Sequence, residues 1–113
     1  MSITADLIRG HTDAIILAHL LERDSYGYEI NKSILEQTDH RYELKEATLY
    51  TAFRRLEDAG YIASYWGNEN IGARRKYYTL TQAGRAAFAE QQKAWKSARD
   101  MINKLMKTEE HLI

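Results

Sequence analysis

A mostly helical α+β fold is predicted for this chain: three helices, a β-hairpin and one long terminal helix. Three observations predict it. Apolar residues recur at helical spacing in four segments, one aromatic and β-branched stretch interrupts them, and no proline is present to break a helix. The 113 residues suffice for one domain, or one domain with an appended element, and an apolar content of 44% supports a packed core.

The first helix is expected over residues 3–23. Ile8, Thr12, Ile15, Ile16, His19 and Leu20 crowd its middle, so much of its circumference should be buried. An alternative has Thr12 and Asp13 capping a helix that begins near Ala14, with residues 3–11 as a looser arm or a bent first turn. Asp24 and Ser25 are read as the cap of the second helix. Its apolar side carries Tyr26, Ile30, Ile34 and Leu35, and Thr38-Asp39-His40 ends it. Gly27 and Tyr28 near its start allow a neighbouring helix to cross closely.

The third helix, from Lys45 to Ala59, has the clearest signal. Leu49, Ala52, Phe53, Leu56 and Ala59 form one apolar stripe, and Gly60 suits the position after the helix that needs a positive φ. The opposite face carries Ala47, Tyr50, Thr51 and Arg54. A plain solvated face of this length is rich in Glu and Lys. This one carries donors that reach phosphates and base edges, while Glu57 and Asp58 stand at the far end. The competing reading is an ordinary surface helix packed on a small core.

A hairpin follows, with residues 61–66 and 73–80 as its arms and 67–72 as its loop, bracketed by Gly67 and Gly72. Arg74, Arg75 and Lys76 are consecutive, and in a strand they divide between its two faces. A basic hairpin beside a helix suits phosphate contact, because each cation displaces a condensed counterion. The competing reading is an edge hairpin kept soluble by its charges. Leu49, Phe53, Leu56, Ile62, Tyr78 and Leu80 are expected in the core.

The last helix runs from a cap at Thr81 to about Lys107, about 40 Å of helix. A domain this small cannot bury that length. Phe88, Gln91, Trp95, Ala98, Ile102 and Leu105 alternate at spacings of three and four, a coiled-coil seam. Gln91 and Ala98 are weak core residues, so packing against a further element, such as a partner's first helix, is expected along with self-association into a homodimer. Phe88, Trp95, Ile102 and Leu105 are the expected dimerisation residues. Three helices and a hairpin make a winged helix-turn-helix over residues 1–80, with the third helix entering the major groove. Residues 81–108 form the dimerisation helix and 109–113 a tail.

The net charge is zero but unevenly placed. Residues 1–44 hold four Lys and Arg against eight Asp and Glu, whereas 45–76 and 77–113 each hold six against four. Such a chain binds DNA weakly alone and gains from duplicated contacts. Lys45, Tyr50, Thr51 and Arg54 are the expected groove contacts, with Arg74, Arg75 and Lys76 in the wing.

Without Cys there is no disulfide, thiolate metal site or thiol nucleophile. His11 and His19 stand two helical turns apart, too far for one ion without other ligands, so no metal or cofactor is expected. No Gly-rich phosphate loop or convincing Ser–His–Asp set points to an enzyme. No apolar run reaches membrane-spanning length and no signal-peptide pattern opens the chain, so a cytoplasmic protein is expected. The rival function is a winged-helix adaptor that contacts protein and senses no ligand.

Tyr26-Gly27-Tyr28-Glu29-Ile30, Ala47-Thr48-Leu49-Tyr50, Arg55-Leu56-Glu57 with Gly60-Tyr61-Ile62, and Gly72 followed by Arg75-Lys76-Tyr77-Tyr78, Leu80-Thr81 and Gly84 carry a resemblance. Over about residues 5–105 the chain resembles the PadR family of bacterial transcriptional regulators. Its single C-terminal helix is similar to that of the smaller subfamily, and Trp95 with Ser64-Tyr65-Trp66-Gly67 resembles a lactococcal multidrug-binding member. Thr51 departs from the Pro that many members have there, a departure common in the smaller subfamily. The resemblance implies a homodimeric repressor on a pseudo-palindromic operator, released by a small planar aromatic or drug-like effector. It implies Trp95 and its symmetry mate stacking on that ligand, with Asp13, Gln91, Gln92, Ala98 and Arg99 lining the slot. Arg99, one turn from Trp95, argues against a strongly cationic ligand and for a neutral or anionic one, with Asp100 as a partial offset. The plain alternative makes Trp95 a dimer-core tryptophan.

Overall fold

A computed structural model describes residues 2–69 and 72–108; the centre of the expected hairpin loop at 70–71 and the expected tail at 109–113 lie outside the described residues. The elements in chain order are α1 Ile3–Arg9, α2 Thr12–Glu22, α3 Gly27–Gln37, α4 Glu46–Asp58, β1 Ile62–Trp66, β2 Lys76–Leu80 and α5 Gln82–Met106.

The single helix expected over residues 3–23 is two helices. The His11 amide donates to the Ile8 carbonyl at 2.8 Å and closes α1, and the Thr12 hydroxyl donates to the Arg9 carbonyl at 2.8 Å across the break. A new ladder then starts with the Ile15 amide on the His11 carbonyl. His11 itself, not Thr12 or Asp13, holds the cap position of α2. Ser2 caps α1, its hydroxyl accepting from the Ala5 amide at 3.0 Å.

Ser25 does not cap α3. Its backbone exchanges both hydrogen bonds with Tyr78, at 3.2 and 2.8 Å, a single rung laid on β2. Tyr26 takes the cap position without a side-chain bond. The turn into α4 is fixed from α3: the Asn31 amide donates to the Leu44 carbonyl at 2.8 Å and its oxygen accepts from the Leu44 amide at 2.9 Å. Leu44 is thereby paired like a strand residue while its side chain is buried. Gly27 makes the crossing of α3 and α4 close, since a Cβ there would stand 2.9 Å from the Tyr50 hydroxyl and 3.2 Å from a Leu49 methyl.

Leu49, Ala52, Phe53 and Leu56 of α4 are buried as expected. Ala59 is not. It is exposed at the C-cap, because the helix ends there and Gly60 turns the chain away with φ +82. Phe53 stacks on Tyr78 of β2 with ring centroids 3.9 Å apart, joining α4 to the hairpin. Ile16, Leu17, Leu20, Ile30, Ile34, Ile62 and Leu80 complete the core. β1 and β2 pair antiparallel, from Ile62 opposite Leu80 to Trp66 opposite Lys76.

Thr81 caps α5 as expected, accepting from the Gly84 amide at 3.0 Å and donating to the Gly60 carbonyl at 2.7 Å. Ala87 and Phe88 pack against the core, and α5 runs beside α2. Its 25 residues extend about 37 Å, and the molecule measures 59 × 30 × 21 Å. Beyond Phe88, the far half of α5 exposes Trp95, Met101, Ile102, Leu105 and Met106, and α1 exposes Ile3 and Leu7.

Gly84 is where α5 touches the hairpin most closely. A Cβ would run into the Tyr61 carbonyl oxygen and stand 2.7 Å from a Leu80 methyl. Alanine favours a helix over glycine by about 1 kcal/mol, so an intrinsic gain opposes a steric loss. The backbone oxygen cannot yield as a side chain can. Gly84→Ala is expected to destabilise the chain by about 1–3 kcal/mol, read as a lower urea midpoint at unchanged slope. A midpoint at or above that of the parent would contradict this packing.

Candidate nucleic-acid interface

One face of α4 is left to solvent. Lys45, Ala47, Tyr50, Thr51 and Arg54 are all exposed, opposite the buried stripe. Among the described residues, Lys45, Arg54 and Arg74 form no ion pair. Tyr50 stands edge-on against Phe53 at 5.6 Å, and its hydroxyl lies against Gly27 of α3. At the start of α4 a cleft of about 210 Å³ brings Arg9 of α1 and Arg41 of the preceding turn beside Lys45 and Thr48. Neither arginine stood out in the sequence, because each sits alone in an acidic segment.

The wing differs from the expected strand of three cations. Only Lys76 lies in β2; Arg74 and Arg75 precede it. Glu69 is the reason. It accepts from the Arg75 amide at 3.1 Å and from the Tyr77 hydroxyl at 3.1 Å, while the Gly67 amide donates to the Arg75 carbonyl at 2.7 Å. The Arg75 guanidinium lies over the Tyr26 ring, 4.9 Å from its centroid, and 3.7 Å from the Glu69 carboxylate. The Lys76 ammonium stands 6.0 Å from the Trp66 ring. Arg75 is therefore oriented, and Arg74 is exposed beside it. Tyr28, Tyr26, Tyr77 and Tyr65 form a continuous ladder of rings from α3 to β1. Tyr65 donates to Asp24 at 2.6 Å, and that bond holds its phenol above its ordinary pKa.

The residues expected around a ligand divide. Trp95 is about half exposed on α5 and meets His11 edge-on, ring centroids 5.1 Å apart. Gln91 and Ala98 are half-buried, and Gln92 and Arg99 are exposed on the same helix. Arg99 pairs with the adjacent Asp100 at 3.1 Å, the offset anticipated from their neighbourhood. Asp13 is on α2 and already engaged, both its oxygens accepting from Arg55 of α4. Of the expected dimerisation residues, Phe88 packs on this chain's own core, while Trp95, Ile102 and Leu105 are exposed. His19 is bonded to Ser33 and Gln37, remote from His11's contact with Trp95.

A sequence model described as the transcriptional regulator PadR-like family matches residues 16–90. The chain belongs to the PadR-like family. Its winged helix-turn-helix with a long C-terminal helix is the family's arrangement, and the PadR-like family comprises transcriptional regulators, not enzymes. A transcriptional regulator from Clostridium thermocellum is 48% identical, with 91% of this chain and 97% of that one covered and a TM-score of 0.83. A PadR family transcription regulator from Clostridium difficile is 36% identical, with 85% and 98% covered and a TM-score of 0.76. Bacillus subtilis PadR, solved in complex with operator DNA, shares the fold at 24% identity and a TM-score of 0.63, with 70% of this chain and 45% of that one covered. No helix among the described residues is long and apolar enough to cross a membrane.

The Arg75 amide, with help from Tyr77 and the Arg75 guanidinium, holds the Glu69 carboxyl below the usual glutamate range. A depressed carboxylate stabilises the wing fully above its ordinary pKa and loses that contribution as the pH falls through the depressed value. The Arg75 amide resonance should therefore titrate below the usual glutamate value, and the step should vanish in Glu69→Gln. A step at or above the usual value would contradict the loop geometry.

Proposed function

We propose that this PadR-like regulator is a homodimeric repressor that places α4 in the major groove of a pseudo-palindromic operator and is released by a planar aromatic ligand at the dimer centre. The observation that carries the DNA reading is the exposed face of α4, where Lys45, Tyr50, Thr51 and Arg54 stand opposite a buried apolar stripe, with Lys45 and Arg54 in no ion pair among the described residues. Arg74, Arg75 and Lys76 extend it along the wing to flanking phosphates. The same fold carries operator DNA in Bacillus subtilis PadR.

The homodimer is supported by the exposed far half of α5. Ile102, Leu105 and Met106 of α5, with Ile3 and Leu7 of α1, are large apolar side chains left exposed, and exposed apolar surface of this kind marks association sites. Residues 81–108 serve dimerisation in this reading, and residues 1–80 serve DNA. The effector reading rests on Trp95, an exposed indole amid this surface, with Gln91, Gln92, Ala98 and Arg99 on its own helix and Asp13 on α2. An aromatic ligand between two Trp95 rings gains about 0.5–1.5 kcal/mol per ring contact beyond its buried area. The Arg99–Asp100 pair leaves little net charge there, which favours a neutral aromatic over a strongly charged one.

Arg54→Ala is expected to weaken operator binding at least several-fold while the dimer stays intact by sedimentation. A dimer that dissociates in this variant would remove Arg54 from the DNA surface. Trp95→Ala is expected to abolish the response of operator binding to planar aromatics, measured by fluorescence anisotropy of labelled duplex. A full response in that variant would place the effector elsewhere.

A further inference from the structure

The ion pair between Asp13 and Arg55 ties a residue of the proposed ligand side, Asp13 on α2, to Arg55 on α4, which belongs to neither surface described above. Arg55 sits on α4 between exposed Arg54 and buried Leu56. Its fork turns away from the exposed face and reaches α2. Nε donates to one Asp13 oxygen at 3.3 Å and Nη2 donates to the other, a two-bond clamp of defined direction. Two residues earlier on the same turn, the His11 ring abuts the edge of Trp95 at 5.1 Å. The first turn of α2 thus holds α4 with one side chain and touches α5 with another. The core stripe of α4 sets which side faces solvent; a two-bond contact at its C-terminal half adds resistance to small rotations about its axis.

We propose that Asp13 and Arg55 are positioning residues for DNA recognition, and that His11 and Asp13 carry the state of Trp95 to α4. The second clause rests on the ligand reading above; the first requires only that α4 meets DNA. A half-exposed pair is weak by itself, but a symmetric dimer repeats it, and an error in the pitch of α4 acts on both half-sites.

The test turns on sign. Asp13→Asn removes a negative charge, so electrostatics alone predicts tighter DNA binding. Positioning predicts binding about three- to ten-fold weaker. Arg55→Lys keeps the charge and loses the fork, so it should weaken operator binding by a similar factor with the salt dependence unchanged. The double variant should bind no more weakly than either single one. Exchanging the charges, Asp13→Arg with Arg55→Asp, should recover part of the loss and so exclude a general folding defect. Binding equal to or tighter than the parent in Asp13→Asn, or a reduced salt slope in Arg55→Lys, would overturn the clamp and make Arg55 a bystander or a phosphate contact.

Naphthalene-2-carboxamide is the probe for the second clause. In the parent it should quench Trp95 and weaken operator binding; in Arg55→Lys it should quench equally and leave operator binding unchanged. Equal weakening in both proteins would overturn the relay. No quenching in the parent would instead remove the ligand reading, and the affinity measurements would still decide the clamp.

Discussion

Burial of one stripe of α4 is the constraint on which the rest of the structure depends. Leu49, Ala52, Phe53 and Leu56 are sealed against α2, α3 and the hairpin, and Phe53 is stacked on Tyr78. A helix has only one other side, so sealing this one presents Tyr50, Thr51 and Arg54 to solvent. The surrounding devices hold that geometry. Asn31 pins Leu44 ahead of the helix, Gly27 admits the close crossing, and Gly60 turns the chain into β1. Ser25 fastens the middle of β2 at Tyr78, and Thr81 ties the start of α5 to the Gly60 and Tyr61 carbonyls.

The same economy leaves α5 overlong. Its first turns pack on the core and on α2, while Ile102, Leu105 and Met106 stand exposed among the described residues. A chain with zero net charge also needs two copies of its basic face to grip DNA firmly. The proposed homodimer joined along α5 would answer both features, with Trp95 among the joining residues.

Features with local causes were legible in the sequence. The α4 stripe, the glycine after it, the Thr81 cap and the extent of α5 each follow from residues a few positions apart. Where the reading failed, the cause lies far along the chain. Ser25 looks like a cap until Tyr78 claims its backbone. Arg74 and Arg75 look like strand residues until Glu69 folds the loop back onto them. Asp13 looks available until Arg55 arrives from α4. His11 against Trp95 and Arg9 beside Lys45 carry no signal in spacing at all. The break at Gly10 and His11 is the exception: its signal was local, in Thr12 and the glycine, but weak. Ala59 continued the stripe on paper, yet the helix ended before its side chain could reach the core.

Association of the full chain with duplex from its own upstream region, followed across a salt series, tests DNA recognition by α4 and the wing most directly. Each phosphate met by a cation contributes about 0.9 to the slope of log affinity against log salt. A dimer using the basic residues of two α4 helices and two wings should show a steep linear decline of several units. A flat dependence, or binding no tighter than to unrelated duplex at every salt concentration, would contradict it.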